Sequence, residues 1–305
     1  MIIYIKQLLT AVFWGGTFVA GRILANHVDA YSASFLRFAI ASLVILISIR
    51  VIEGKLPGLN IKQLIGVTCL GMTGIFAYNI FFFNGLQTVT AGRAGMIISL
   101  NPVSISLLSI IFFKEKVTFL KASGITLSLS GALVVITNGN LLMIFSTSLT
   151  QGDLFIFGCV ASWVSYSIIG KMVLVDLSPL VSVGYASLIG AILLFFPAVA
   201  NGLLYSLPKI SINDWGALSF LGVFGTALAF FWYYEGILRI GPIKTGIFIN
   251  FVPISAIILA YLILDEPITV SLAVGAVMVI SGVFLTNYSR KSILAKNSYP
   301  EAKWK

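Results

Sequence analysis

Along this chain, long apolar runs alternate with short polar or turn-forming connectors almost from end to end. The runs cover about 5–25, 31–52, 63–84, 92–113, 119–137, 153–171, 179–200, 214–236, 244–264 and 269–288. Each comes close to the roughly 20 apolar residues that a helix needs to cross a bilayer. Between them, Asn, Asp, Gly, Pro and charged residues gather. The alternation of barrel strands is absent, and lipid offers backbone groups no outside partner. The pattern therefore predicts an all-α integral membrane protein of ten transmembrane helices.

These ten runs form two sets of five. From Leu70 onward a constant offset of 151 places Gly71, Gly74, Gly85 and Gly95 on Gly222, Gly225, Gly236 and Gly246. The same offset places Pro102 on Pro253, Glu115 on Glu266, Gly124 on Gly275 and Gly131 on Gly282. Upstream the offset is 149, and Trp14 meets Trp163, Gly21 meets Gly170 and Arg22 meets Lys171. An odd number of spans per copy turns the second copy upside down. The expected organisation is a first repeat at 1–137, a connecting loop at 138–152, an inverted second repeat at 153–288 and a basic tail at 289–305. Inverted repeats are typical of secondary transporters, whose substrate site lies between the repeats near the midplane.

Composition agrees on the solvent. Only 10% of residues are charged, against roughly 25% in soluble domains. The net charge of +9 is scattered over loops and tail with no stripe of stacking aromatics, so nucleic acid is not an expected partner. The expected partners are the bilayer and a small-molecule substrate; a monomer is compatible with the pattern. The charges instead set topology. With the N-terminus in the cytoplasm, only Arg22, Arg37, Arg93 and Lys209 of the 19 Lys and Arg fall in or toward the other half. Both termini are then cytoplasmic, in a multi-pass protein of a cell membrane, a bacterial inner membrane. The first run is too long for a signal-peptide core and lacks a small-x-small cleavage site, so it reads as retained.

Candidate chemistry is sparse. His27 is the single histidine, and Cys69 and Cys159 have no CxxC or Cys/His partner. No metal site, cofactor or enzymatic acid/base pair is expected. All ten acids lie in loops, tail or span ends, which leaves no obvious proton relay. Pro102 and Pro253 stand about ten residues into their runs, roughly 15 Å deep. They are expected to kink their helices and free the carbonyls of Ile98 and Ile249. Ser99, Asn101 and Asn250 lie beside those kinks as cavity candidates, with a locally satisfied kink as the alternative. Trp14 and Trp163 also fall near mid-membrane, each with a hydroxyl one turn on, Thr17 and Tyr166. Such a pair supplies a flat apolar wall and a polar handle; plain packing is the alternative. Tyr78 and Asn79 add polarity to span three. Phe81–Phe83 and Trp232–Tyr234 sit at span ends and read as aromatic-belt residues. Arg37 is the one charge clearly inside. It reads either as an anchor paired with a carbonyl or with Asp29, or as an attractor for an anionic substrate group.

The stretches FWGGTFVAG in span one and FLRF in span two carry a family resemblance. So do GRAGMIISLNPVSISLLSIIFFKEKVT with its partner KTGIFINFVPISAIILAYLILDEPIT, and the closing GITLSLSG and GAVMVISG. Together they make the chain, up to Tyr288, resemble the drug/metabolite transporter superfamily, specifically proteins with two EamA-type repeats. That resemblance implies ten helices and alternating access around a cavity lined by spans one, three, four, six, eight and nine. It also implies transport of small metabolites, commonly export of amino acids or related compounds. Lys114 and Asp265 stand before the two acidic turns where the family often has glycine.

Overall fold

The computed structural model describes residues 1–52, 54, 56–113, 118–140, 149–173, 177–240, 245 and 248–294. Lys114, Glu115, Gly246, the middle of the connecting loop (141–148) and the end of the tail (295–305) lie outside the described residues. Among the described residues, every regular element is helical.

Helix α1 is Ile2–Ala25 and α2 is Ala30–Ile52. The third begins as Ile61–Leu70, widens to a π-helix over Gly71–Ala77 and resumes over Tyr78–Leu86; the whole is α3. Helices α4 (Ala91–Ile98) and α5 (Asn101–Phe113) are separated by a two-residue turn. Then follow α6 (Phe119–Ile136), α7 (Gln151–Val173), α8 (Pro179–Ala200) and the short α9 (Leu203–Ser206). Helix α10 repeats the form of α3: Ile212–Ser219, a π-helix over Phe220–Leu228, then Ala229–Ile240. The described helices close with α11 (Val252–Leu264) and α12 (Val270–Leu294). Side-chain caps fix several starts. Asn60 and Gln63, like Ser211 and Asp214, form reciprocal capping boxes, which satisfy N-terminal amides that have no partner within the helix.

Among the described residues, seven helices are long and apolar enough to cross a bilayer. The three remaining runs differ for local reasons. The fourth is cut at Ser99–Leu100, and the ninth at Asn250–Phe251, after which the 13-residue α11 begins. In the tenth, the apolar helix among the residues with described side chains is Val270–Thr286, 17 residues. Large apolar side chains such as Leu43, Phe196, Leu262 and Val277 stay exposed on the outside of the bundle. Inside, α1, α3, α4, α7 and α10 bury Phe18, Leu24, Phe82, Phe83, Ile97, Ile156 and Leu221 around one core.

Two pairs of helices that match under the sequence offset pack antiparallel, α6 with α12 and α2 with α8. On α6 and α12, a Cβ at Gly124 would stand 2.6 Å from the Gly282 carbonyl, and one at Gly131 would stand 2.9 Å from that of Gly275. Between these contacts the Ser128 hydroxyl donates to Val279 O at 3.3 Å. Without a hydrophobic drive between helices in lipid, such close backbone approach is what glycine permits. Helices α2 and α8 are opposed in the same sense: Phe35 packs on Phe195, and Ile49 reaches Gly184. The face of the bundle at which α1 starts is called here the near face, and the opposite one the far face.

Candidate functional site

The two halves meet through contacts that exchange under the same offsets. Thr17 of α1 packs on Gly225 of α10, and its equivalent Tyr166 of α7 packs on Gly74 of α3. Gly222 lies against the backbone of Arg37 and the side chain of Ile40, as Gly71 lies against the backbone of Ala186 and the side chain of Ile189. Gln7 covers Gly236 in the way that Ile156 covers Gly85. The paired glycines of spans three and eight thus serve as landing points for the other half.

At the middle of this interface sits Arg37, 8% exposed. Its Nη1 donates to Asn79 Oδ1 at 2.9 Å, while Nε and Nη2 both donate to Thr226 Oγ1 at 3.3 Å. Each acceptor is held by its own helix: Asn79 Nδ2 donates to Ile75 O, and the Thr226 hydroxyl donates to Leu221 O. That second bond spans five residues, the widened turn of a π-helix. Asp29 is not the partner. Its Oδ1 instead caps α2 by accepting from the amides of Tyr31 and Ser32.

An aromatic group adjoins this cluster. The Phe82 ring lies 5.9 Å from the Arg37 guanidinium and stacks on Tyr78 at 6.0 Å. Tyr78 meets Trp163 at 5.7 Å, and Trp163 stacks on Tyr166 at 5.3 Å. The structure therefore brings Arg37, Tyr78, Asn79, Trp163 and Tyr166 together. Trp14 is elsewhere, against Phe230 and Tyr233 of α10. Thr17, whose hydroxyl donates to Trp14 O, packs beside Thr226 on Gly225. The belt expectation fails for Phe82 and Phe83, which are fully buried in the core. Helix–helix packing has claimed these rings, which position alone assigned to the interface. Trp232 stacks on Phe13 while its carbonyl accepts from Gln7.

The prolines do not bend continuous helices. Pro102 and Pro253 fall in the first turns of new helices, where a missing N–H goes unnoticed. The turns before them, Ser99–Leu100 and Asn250–Phe251, are equivalent under the offset of 151. Ser99 donates to Met96 O, and the amide oxygen of the buried Asn101 has no partner among the described residues. Asn250 sits in its turn, half-buried.

Both faces are tied. On the near face Lys6 bridges to Glu235 at 2.7 Å, and Glu235 also holds Arg239. On the far face Arg93 forks onto the buried Asp153, and Glu266 accepts the amides of Ala91 and Gly92 at the start of α4. Arg22 donates to Leu86 O, and His27 faces Asp214. A recess of about 260 Å³ opens on the far face beside Arg93, Asn138 and Glu266. A narrow crevice on the near face reaches Trp14 from Gln7 and Thr10. Neither includes Arg37 or Trp163. Thr226, the Arg93–Asp153 fork and the Lys6–Glu235 bridge escaped sequence reading. A lone hydroxyl beside Gly225 was the only trace of Thr226, and the ion pairs join residues 60 and 229 positions apart.

A bundle of long apolar helices that keep large apolar side chains on the outside is the frame of a multi-pass membrane protein, and comparison assigns the family. The chain belongs to the EamA-like transporter family, whose profile matches residues 1–137 and 150–288. It is a multi-pass membrane transporter. The uncharacterized transporter YyaM of Bacillus subtilis is 34% identical over 281 residues, covering 92% of each chain. YetK of the same organism, also described as an uncharacterized transporter, is 28% identical over 99% of this chain and 91% of its own. A solved structure described as "Crystal structure of protein" aligns with a TM-score of 0.65 at 18% identity, covering 95% of this chain and 99% of that one. That likeness concerns the fold.

Proposed function

We propose that this transporter is a secondary carrier built of ten spans in two inverted five-helix repeats. It moves small polar or amphiphilic metabolites, amino acids or related compounds, by alternating access, with export the favoured direction. The observation that carries this reading is the exchange of contacts between halves. Thr17 on Gly225 and Tyr166 on Gly74 are one contact made twice, between helices that run in opposite directions. Two copies that embrace one another in this way can trade roles, so that closing one face mirrors opening the other. The helix breaks at Ser99–Leu100 and Asn250–Phe251 support it as well. Non-helical backbone at membrane depth is tolerated where protein or a wet cavity covers it. The substrate space is the one between spans one, three, four, six, eight and nine, with Trp14, Thr17, Tyr78, Asn79, Ser99, Asn101, Trp163, Tyr166 and Asn250 as its lining. The lysine and arginine bias supports a cytoplasmic position for both termini, in a bacterial inner membrane.

Counterflow in proteoliposomes tests the proposal. Vesicles preloaded with an unlabelled metabolite should transiently concentrate the labelled form above its outside level, with saturation. A carrier couples the two directions through one site. Simple equilibration without overshoot across a metabolite panel would contradict it.

A further inference from the structure

Arg37 is the eighth residue of α2, about 10 Å in from the far face at 1.5 Å per residue. A guanidinium has five N–H donors. The three hydrogen bonds of Arg37 end on only two oxygen atoms, both neutral. Among the described residues, the buried and half-buried carboxylates are engaged elsewhere. Asp29 caps α2, Asp153 holds Arg93, Asp214 faces His27, Glu235 holds Lys6 and Arg239, and Glu266 caps α4. A buried charge without an opposite charge is costly and persists where function needs it.

Packing does not need this charge. The residue equivalent to Arg37 in the other half is Ala186, whose carbonyl meets Gly71 as that of Arg37 meets Gly222. Alanine suffices for the same helix contact. The two acceptors of Arg37, moreover, come from opposite halves, Asn79 just beyond the first π-helical stretch and Thr226 within the second. Any movement between halves redistributes the donors of Arg37.

We propose, resting on the carrier reading above, that the transported solute bears a carboxylate or other anionic group and that Arg37 receives it. Asn79 and Thr226 hold the guanidinium until the solute arrives. The Tyr78–Trp163–Tyr166 wall takes the solute's apolar body. Anion pairing then replaces bonds to neutral oxygens with bonds in which both partners are charged, and a carboxylate can take them as a fork.

The test is thermal unfolding of the purified full-length protein with matched probes: phenylacetate against phenylacetamide, indole-3-acetate against indole-3-acetamide. Binding to the folded state raises the melting temperature. At least one carboxylate should raise it where its amide does not. Arg37→Gln should weaken that carboxylate by about 30-fold or more in Kd, with Arg37→Lys intermediate. Amides that stabilise as well as acids, a panel without effect, or undiminished binding by Arg37→Gln would overturn the assignment. Should Arg37→Gln not fold, Thr226→Val keeps the charge and removes one neutral acceptor. Its carboxylate-induced shift should then exceed that of the wild type, and an unchanged shift counts against the proposal. Counterflow separates this inference from the carrier reading. A neutral solute exchanged equally by wild type and Arg37→Gln leaves the carrier standing and removes the anion site. Carboxylate binding through Arg37 with no exchange of any solute does the reverse.

Discussion

Single residues at the centre of this protein divide by what they touch rather than by what they are. Trp163 lies between Tyr78 and Tyr166, inside the interface of the halves, whereas Phe196 is 66% exposed on the outside. If the interface is the substrate space, Trp163→Ala should reduce counterflow by about tenfold or more, the scale of losing a buried aromatic anchor. Phe196→Ala should leave it near wild type, and both proteins should insert normally. Equal effects would mean that Trp163 serves packing alone. Much of this was legible in the chain: the offset pairs Trp14 with Trp163, and one helical turn leads from them to Thr17 and Tyr166. What was hidden is which partner each would choose. Trp14 and Trp163 occupy equivalent positions, yet one meets Phe230 and Tyr233 and the other Tyr78 and Tyr166. The facing helices have diverged, and no spacing rule on one helix reports the side chains of another. Asp29 likewise has a local use as a cap, which competes successfully with any distant arginine.

At the scale of elements, apolar run length located the helices but not their interruptions. The π-helical stretches at Gly71–Ala77 and Phe220–Leu228 leave the composition apolar and so pass unseen. The breaks before Pro102 and Pro253 were signalled by proline, yet read as kinks because the apolar run continues through them. Where glycine carries the packing, its replacement should be costly. Valine at Gly131 would press on the Gly275 carbonyl and the Val279 amide, both 2.9 Å from its Cβ. Backbone cannot give way as a side chain can, so about 3 kcal/mol of destabilisation is expected, seen as a lower melting temperature and yield. Gly216→Ala, whose Cβ would meet nothing within 4 Å, should leave stability unchanged or slightly higher. Similar melting temperatures for the two variants would show that the α6–α12 contact is looser than described.

For the whole molecule the central claim is that the halves are inverted and take turns. Inversion has a labelling signature. In cells, single cysteines at Asn140 and Asn201 should react with an impermeant thiol reagent from outside, while those at Leu56 and Ser289 should not; labelling at Leu56 would reverse the orientation. Alternation has a sharper one. Lys6 and Glu235 join α1 to α10 on the near face at 2.7 Å. Under the same offsets their equivalents are Phe155 on α7 and Asn84 on α3, at the far face. The most direct measurement is counterflow after tethering either pair, Lys6→Cys with Glu235→Cys or Asn84→Cys with Phe155→Cys, by a short reducible crosslinker. Cys69 and Cys159 are first replaced by serine. Each tether alone should stop counterflow, each single-cysteine parent should retain it, and reduction should restore it. Undiminished counterflow with either pair tethered would contradict a carrier whose two faces open in turn.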